Sequence, residues 1–160
     1  CERVVAEIAK SAPGVRALRD VTADELEAAR PRLDATDFKR ASHVVPENKR
    51  PVEAADALQA GDLGRAGQLM NDSHFSLRDL YEVSSPELDT LVELAIEQPG
   101  CTGARLTGAG FGGCAIALVE AGSVERVLSS VEAGYEARTG RSTTGFASVP
   151  SEGARVLPEG

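Results

Sequence analysis

The sequence predicts an α+β fold, with a helical first part packed on a small antiparallel or mixed sheet. Three observations carry this. Up to Pro99–Gly100, apolar residues recur at helical spacing between recognisable caps and stops. Beyond residue 100, two strand-like runs flank a glycine-rich loop, the second of them apolar and branched. A final amphipathic stretch then leads into one more strand-like run. The 160 residues suffice for one domain with a real core, and no linker separates the two parts, so residues 1–160 read as one domain.

"CERVVAEIAK" (1–10) places Val4, Val5, Ile8 and Ala9 at helical spacing, and Pro13–Gly14 stops it. Thr22 with Glu25 three residues later is a capping-box signature for a short helix. An alanine-rich helical stretch follows from about Asp34 to Ala60 and closes at Gly61. Pro46 and Pro51 interrupt it, and an interior proline removes a hydrogen bond and clashes with the previous turn, so a kink or break is expected there. Asp62 caps a helix reading through to Glu82, and Ser85 with Pro86 in the first turn opens another through Leu88, Leu91, Val92 and Ala95. "ARLTG" and "CAIALVE" then read as strands either side of the glycine loop. "SVERVLSSVEAGYEARTG" (123–140) is an amphipathic helix ending at Gly140, "TTGFASV" (143–149) a third strand, and the tail from Pro150 surface coil.

Charge and composition narrow the function. The 17 Lys and Arg stand against 25 Asp and Glu, for a net charge of −8, which argues against nucleic-acid binding as a main role. No apolar run approaches the ~20 residues of a membrane span, and no signal-peptide core opens the chain. Cys1, Cys101 and Cys114 form an odd count without a CxxC spacing, which fits a reduced, cytoplasmic compartment. The chain begins at Cys1 and its single methionine is Met70. The expectation is a piece of something longer.

Gly108, Gly110 and Gly113 fit G-x-G-x-x-G, but that dinucleotide fingerprint needs a helix directly after the loop. Here a strand-like run follows. The loop also lacks the Gly-Lys-Ser/Thr of a P-loop. What remains is a strand–loop–strand element whose backbone N–H groups form an anion nest, or whose glycines serve only a tight, bulged connection.

"ARLTGAGFGGCAIALV" (104–119) resembles the third conserved motif of the GHMP small-molecule kinases, in the form found in galactokinases. "LRDVT" (18–22), "HVVPENKRPVEAADAL" (43–58), "GDLGRAGQLMNDSHFSLRDLYEVSSPELDTLV" (61–92), "YEARTG" (135–140) and the tail "PSEGA" follow in the order of galactokinase C-terminal halves. The resemblance covers roughly residues 16–155 and implies a ferredoxin-like strand–helix arrangement. It implies transfer of the γ-phosphoryl group of ATP, with Mg²⁺, to the anomeric hydroxyl of D-galactose. The sugar-binding segment, a glycine/serine-rich phosphate loop and the catalytic aspartate of the family belong to an N-terminal half, and none of those motifs is present here. Only the loop carries over, as Thr107, Gly108, Ala109, Gly110, Phe111, Gly112 and Gly113, shaping the phosphate and substrate cleft. No catalytic or metal-binding residue is assigned to this chain, and the isolated domain is expected to be inactive. A sugar- and ATP-responsive regulator without catalysis, or a kinase for another sugar, are the alternatives. Ala109 stands where glycine is common, Leu80 where an acid is expected, and Pro46 and Pro51 where helix-compatible residues are expected.

Other candidates read more plainly. His74 beside Asp72 and Ser73 is no triad, because neighbours along a helix do not face each other; it reads as a buried histidine orienting a helix. His43 reads as a helix-face residue, Arg105 as reaching solvent or a carboxylate, and Cys114 as a small packed residue.

Overall fold

The computed structural model describes residues 1–151, in which seven α-helices surround one β-hairpin. The chain opens with α1 (Glu2–Ala9), α2 (Ala23–Ala29) and α3 (Ala35–Glu47). Thr22 and Glu25 close the expected capping box on α2, and the Asp34 carboxylate accepts from the N–H groups of Thr36 and Asp37 at the start of α3. The proline break falls where expected. Pro46 lies in the last turn of α3, and α4 (Arg50–Gln59) restarts with Pro51 in its first turn, where a missing N–H costs nothing.

Asp62 caps α5 (Leu63–Ser76), and the chain then widens into a π-turn at Leu77–Tyr81 before Glu82 turns left-handed. Ser85 caps α6 (Pro86–Ile96), which leads into β1 (Cys101–Thr107) and β2 (Cys114–Val119). Gly140, with φ of 69°, ends α7 (Val124–Thr139).

Two apolar clusters hold these elements. Val4, Ile8, Leu18, Leu26, Ala29, Ala41 and Val45 knit α1–α3 together. Val92 and Ala95 of α6 pack on Ala104 of β1, with Ala115 and Val131 against them. Between the clusters runs α5, which lies along the outer edge of β1. Its backbone comes so close that a Cβ on Gly67 would sit 2.0 Å from the Thr102 carbonyl oxygen, and one on Gly103 would sit 2.1 Å from that of Gly67. Asn71 Oδ1 accepts the Ala104 N–H at 2.8 Å and His74 Nδ1 the Leu106 N–H at 3.3 Å. Two side chains one turn apart on α5 thus take the place of a neighbouring strand.

β1 and β2 pair antiparallel, from Thr107↔Cys114 at the loop to Cys101↔Val119, with a bulge beside Thr102. The α+β class and the antiparallel pairing are as expected. The third strand is not: residues 143–149 join no ladder, and Phe146 is 88% exposed. That segment instead follows α7, where the Gly145 N–H donates to Glu132 at 2.9 Å and the backbone sits against Leu128. An alternating run needs a ladder edge within reach, and this one meets a helix face. The end of the "PSEGA" block and the tail read as coil lie outside the described residues.

Candidate functional site

The loop between β1 and β2 is built almost wholly from left-handed backbone. Gly108, Gly110, Gly112 and Gly113 have φ of 87°, 82°, 130° and 112°, and Phe111, which is not glycine, has 60°. Ala109 is outside this range, the condition its methyl group requires. At Gly110 space also decides, since a Cβ there would lie 2.2 Å from the Val83 carbonyl oxygen. That same carbonyl accepts the Phe111 N–H at 2.6 Å, so the tip is pinned although its ring is 73% exposed. Around Gly108, Gly112 and Gly113, by contrast, an added Cβ would meet nothing within 4 Å among the described residues beyond its own chain neighbours. Gly108 and Gly110 have positive φ and Ala109 between them does not, so the backbone reverses hand twice within three residues.

The wall beside the loop comes from the π-turn. An open cleft of about 340 Å³ lies between Cys1, Arg40, Tyr81, Glu82, Val83 and Phe111. Glu82 has φ of 57°, a conformation costing a residue with a Cβ roughly 1–2 kcal/mol. Lys39 at 2.5 Å and Arg40 at 2.6 Å meet its carboxylate. Hydrogen bonds from Lys39 and Arg40 also hold the Glu82 carboxyl below the usual carboxylate range. Arg40 further donates to the Leu80 carbonyl at 2.8 Å, fixing the turn that carries Val83. π-turns of this kind recur at functional sites because they re-aim a backbone segment.

Both histidines are buried and structural in their contacts. His43 Nδ1 lies 2.8 Å from Ser76 Oγ and its ring stacks on Tyr81 at 4.9 Å. Burial, helped by the charges of Arg50 and Arg105, pushes it down to about 4. His74 accepts from β1 as described and is likewise held neutral by burial, against the pull of Asp89. Arg105 reaches a carboxylate, Glu47 at 4.0 Å, while Glu47 itself pairs with Arg50 and accepts the Ser73 hydroxyl at 2.5 Å. Cys114 departs from expectation: it is exposed, because β2 has nothing over that end among the described residues. Also among the described residues, no three His, Cys, Asp or Glu side chains converge as a metal site would need.

Residues 54–137, just over half of the chain, match the family model described as GHMP kinases C terminal. The chain belongs to this family. Among its relatives, this GHMP kinase domain is 47% identical over 158 residues to a galactokinase of Roseiflexus sp. (strain RS-1), covering 98% of this chain and 40% of the relative. It is 46% identical over 157 residues to galactokinases of Bos taurus and Homo sapiens, again over 98% of the chain and 38% of each relative. It superposes on a crystal structure of Lactococcus lactis galactokinase complexed with galactose with a TM-score of 0.80 at 42% identity, covering 88% of this chain and 36% of that one. The GHMP kinase domain therefore spans about two-fifths of the length of these relatives.

Thr107 ends β1, paired with Cys114, and Gly108 through Gly113 form the connection to β2, the strand–loop–strand element the sequence predicts. What the sequence reading missed is the partner surface: Glu82, Val83 and the π-turn. The block "SLRDLYEVS" was in view, but nothing in its residue types signals a widened turn or a left-handed glutamate.

Proposed function

We propose that this chain is the C-terminal part of a galactokinase, which transfers the γ-phosphoryl group of ATP to the anomeric hydroxyl of D-galactose, giving galactose 1-phosphate and ADP. The observation that supports this most is identity of 46–47% to galactokinases across 98% of the chain, with the glycine loop inside the matched region. Phosphoryl transfer is mostly positioning and charge stabilisation. In this reading residues Thr107–Gly113 form the part of the cleft nearest the transferred phosphate, and loop N–H groups other than that of Phe111, which Val83 holds, stabilise its charge without an acid or base. The bareness around Gly108, Gly112 and Gly113 leaves room for such an anion. The catalytic base, the Mg²⁺ ligands, most of the ATP site and the sugar pocket come from an N-terminal half. The enzyme works in the cytoplasm, and no described helix is long and apolar enough to cross a membrane.

The test is ADP release by the whole protein with ATP, Mg²⁺ and galactose, run beside arabinose and N-acetylgalactosamine. Turnover greatest with galactose is expected, with none from the 160 residues alone. Galactose binding without ADP release would replace this reading with a regulatory one, and preference for another sugar would change the substrate.

A further inference from the structure

The glycine loop is fastened at two points, and both belong to one circuit of contacts. At its stem, the Leu106 N–H donates to His74 Nδ1 at 3.3 Å. At its tip, the Phe111 N–H donates to the Val83 carbonyl at 2.6 Å. The two anchors meet behind the loop. Ser84, next to Val83 in the chain, donates its hydroxyl to Asp89 Oδ1 at 2.5 Å, and the same oxygen lies 3.3 Å from His74 Nε2.

His74 is 0% exposed, and its Nε2 is a fully buried group without a well-aligned hydrogen-bond partner. Such a group calls for a reason. Because a backbone N–H needs the lone pair on Nδ1, the ring proton sits on Nε2, 3.3 Å from the Asp89 carboxylate but out of line with it, so the two are in electrostatic contact without a formed hydrogen bond. The ring therefore ties the strand before the loop to the helix behind it, where a plain apolar side chain would fill the same space.

We propose that His74, held by Asp89 and Ser84, is a positioning residue for the Gly108–Gly113 loop, setting the distance between its stem and its tip. It touches no substrate. The kinetic part of this inference rests on the galactokinase reading above, whereas the geometric part stands on the circuit alone.

Asparagine and glutamine separate the two halves of the ring. In His74→Asn the amide oxygen can stand in for Nδ1 and keep Leu106 paired; in His74→Gln the longer amide reaches toward Asp89 and leaves Leu106 without its acceptor. In the whole protein, amide exchange at Leu106 and at 109–113 should speed up about tenfold or more in His74→Gln and stay near normal at Leu106 in His74→Asn. For Asp89→Asn, kcat should fall ~10- to 100-fold while KM for galactose moves less than about twofold. Unchanged loop exchange in a folded His74→Gln protein overturns the proposal, as does a kcat loss that only follows the folded fraction. Should His74→Gln not fold, Ser84→Ala carries the same test at Phe111, whose amide should exchange faster; an unchanged rate there also overturns it. If the unmodified whole protein releases no ADP with galactose, the galactokinase reading falls while the exchange pattern still decides this one.

Discussion

β1 and β2 are two arms of one hairpin, and although β2 (CAIALV) is apolar throughout while β1 (CTGARLT) carries Arg105 and two threonines, it is β1 that is interior and β2 that is surface. On β1, Leu106 is 1% exposed, and the outward N–H groups of Ala104 and Leu106 are both taken by side chains of α5. On β2, Ile116 is 49% exposed, Cys114 and Ala117 are exposed too, and no strand lies on its second edge among the described residues. The difference comes from the neighbours: a helix with Gly67, Asn71 and His74 on one face can approach a strand edge and satisfy it, so the sheet cannot grow past β1. An apolar edge left open, like that of β2, is a surface proteins ordinarily cover or blunt. The glycine loop thus runs from a fixed arm to an open one, and its anchors lie on the fixed side and at its tip.

The sharpest way to break this comparison is to truncate each arm. Leu106→Ala should lower unfolding free energy by about 2–5 kcal/mol, and Ile116→Ala by no more than about 0.5 kcal/mol, read by urea denaturation. Equal losses would mean that β2 is covered in solution. Gly67→Ala tests the approach of α5 to β1. Backbone stands in the way of the new methyl group, so a loss of about 3 kcal/mol, the top of the usual range for overpacking, is expected in the same measurement. Asn71→Ala leaves the Ala104 N–H without its partner and should cost about 1–3 kcal/mol, with faster exchange of that amide and little change along β2.

Acid supplies the gentlest test. His43 is pushed down to about 4 when folded, against an ordinary value of about 6.5, so the unfolded chain binds more protons between those limits. Stability is then full above about 6.5 and is lost as pH falls toward about 4; His74, shifted in the same direction, adds to the loss. Melting temperature measured across that window should fall, and His43→Asn should flatten the slope.

Local signals carried much of the fold. The Thr22–Glu25 capping box, the Asp62 and Ser85 caps, the proline break before α4 and the Gly140 stop were all legible, because each is settled by residues within a turn of one another. The glycine loop was legible as a strand–loop–strand element because glycines permit positive φ, whereas the positive φ of Phe111 was not readable from its residue type.

What the tertiary structure alone decided are matters of reach. Residues 143–149 alternate like a strand but lie against α7, where the Gly145 N–H donates to Glu132, and so never reach the open edge of β2. Cys114 is exposed because nothing described covers that end of β2. Glu82 is left-handed at the end of the π-turn, and its carboxylate is met by Lys39 and Arg40, some forty residues earlier in the chain. The link from His74 through Asp89 to Ser84 joins α5 to the start of α6. Caps, stops and loop conformation follow from neighbours in sequence, which the residue order states outright; edges, clamps and relays follow from neighbours in space, which exist only once the helices have packed.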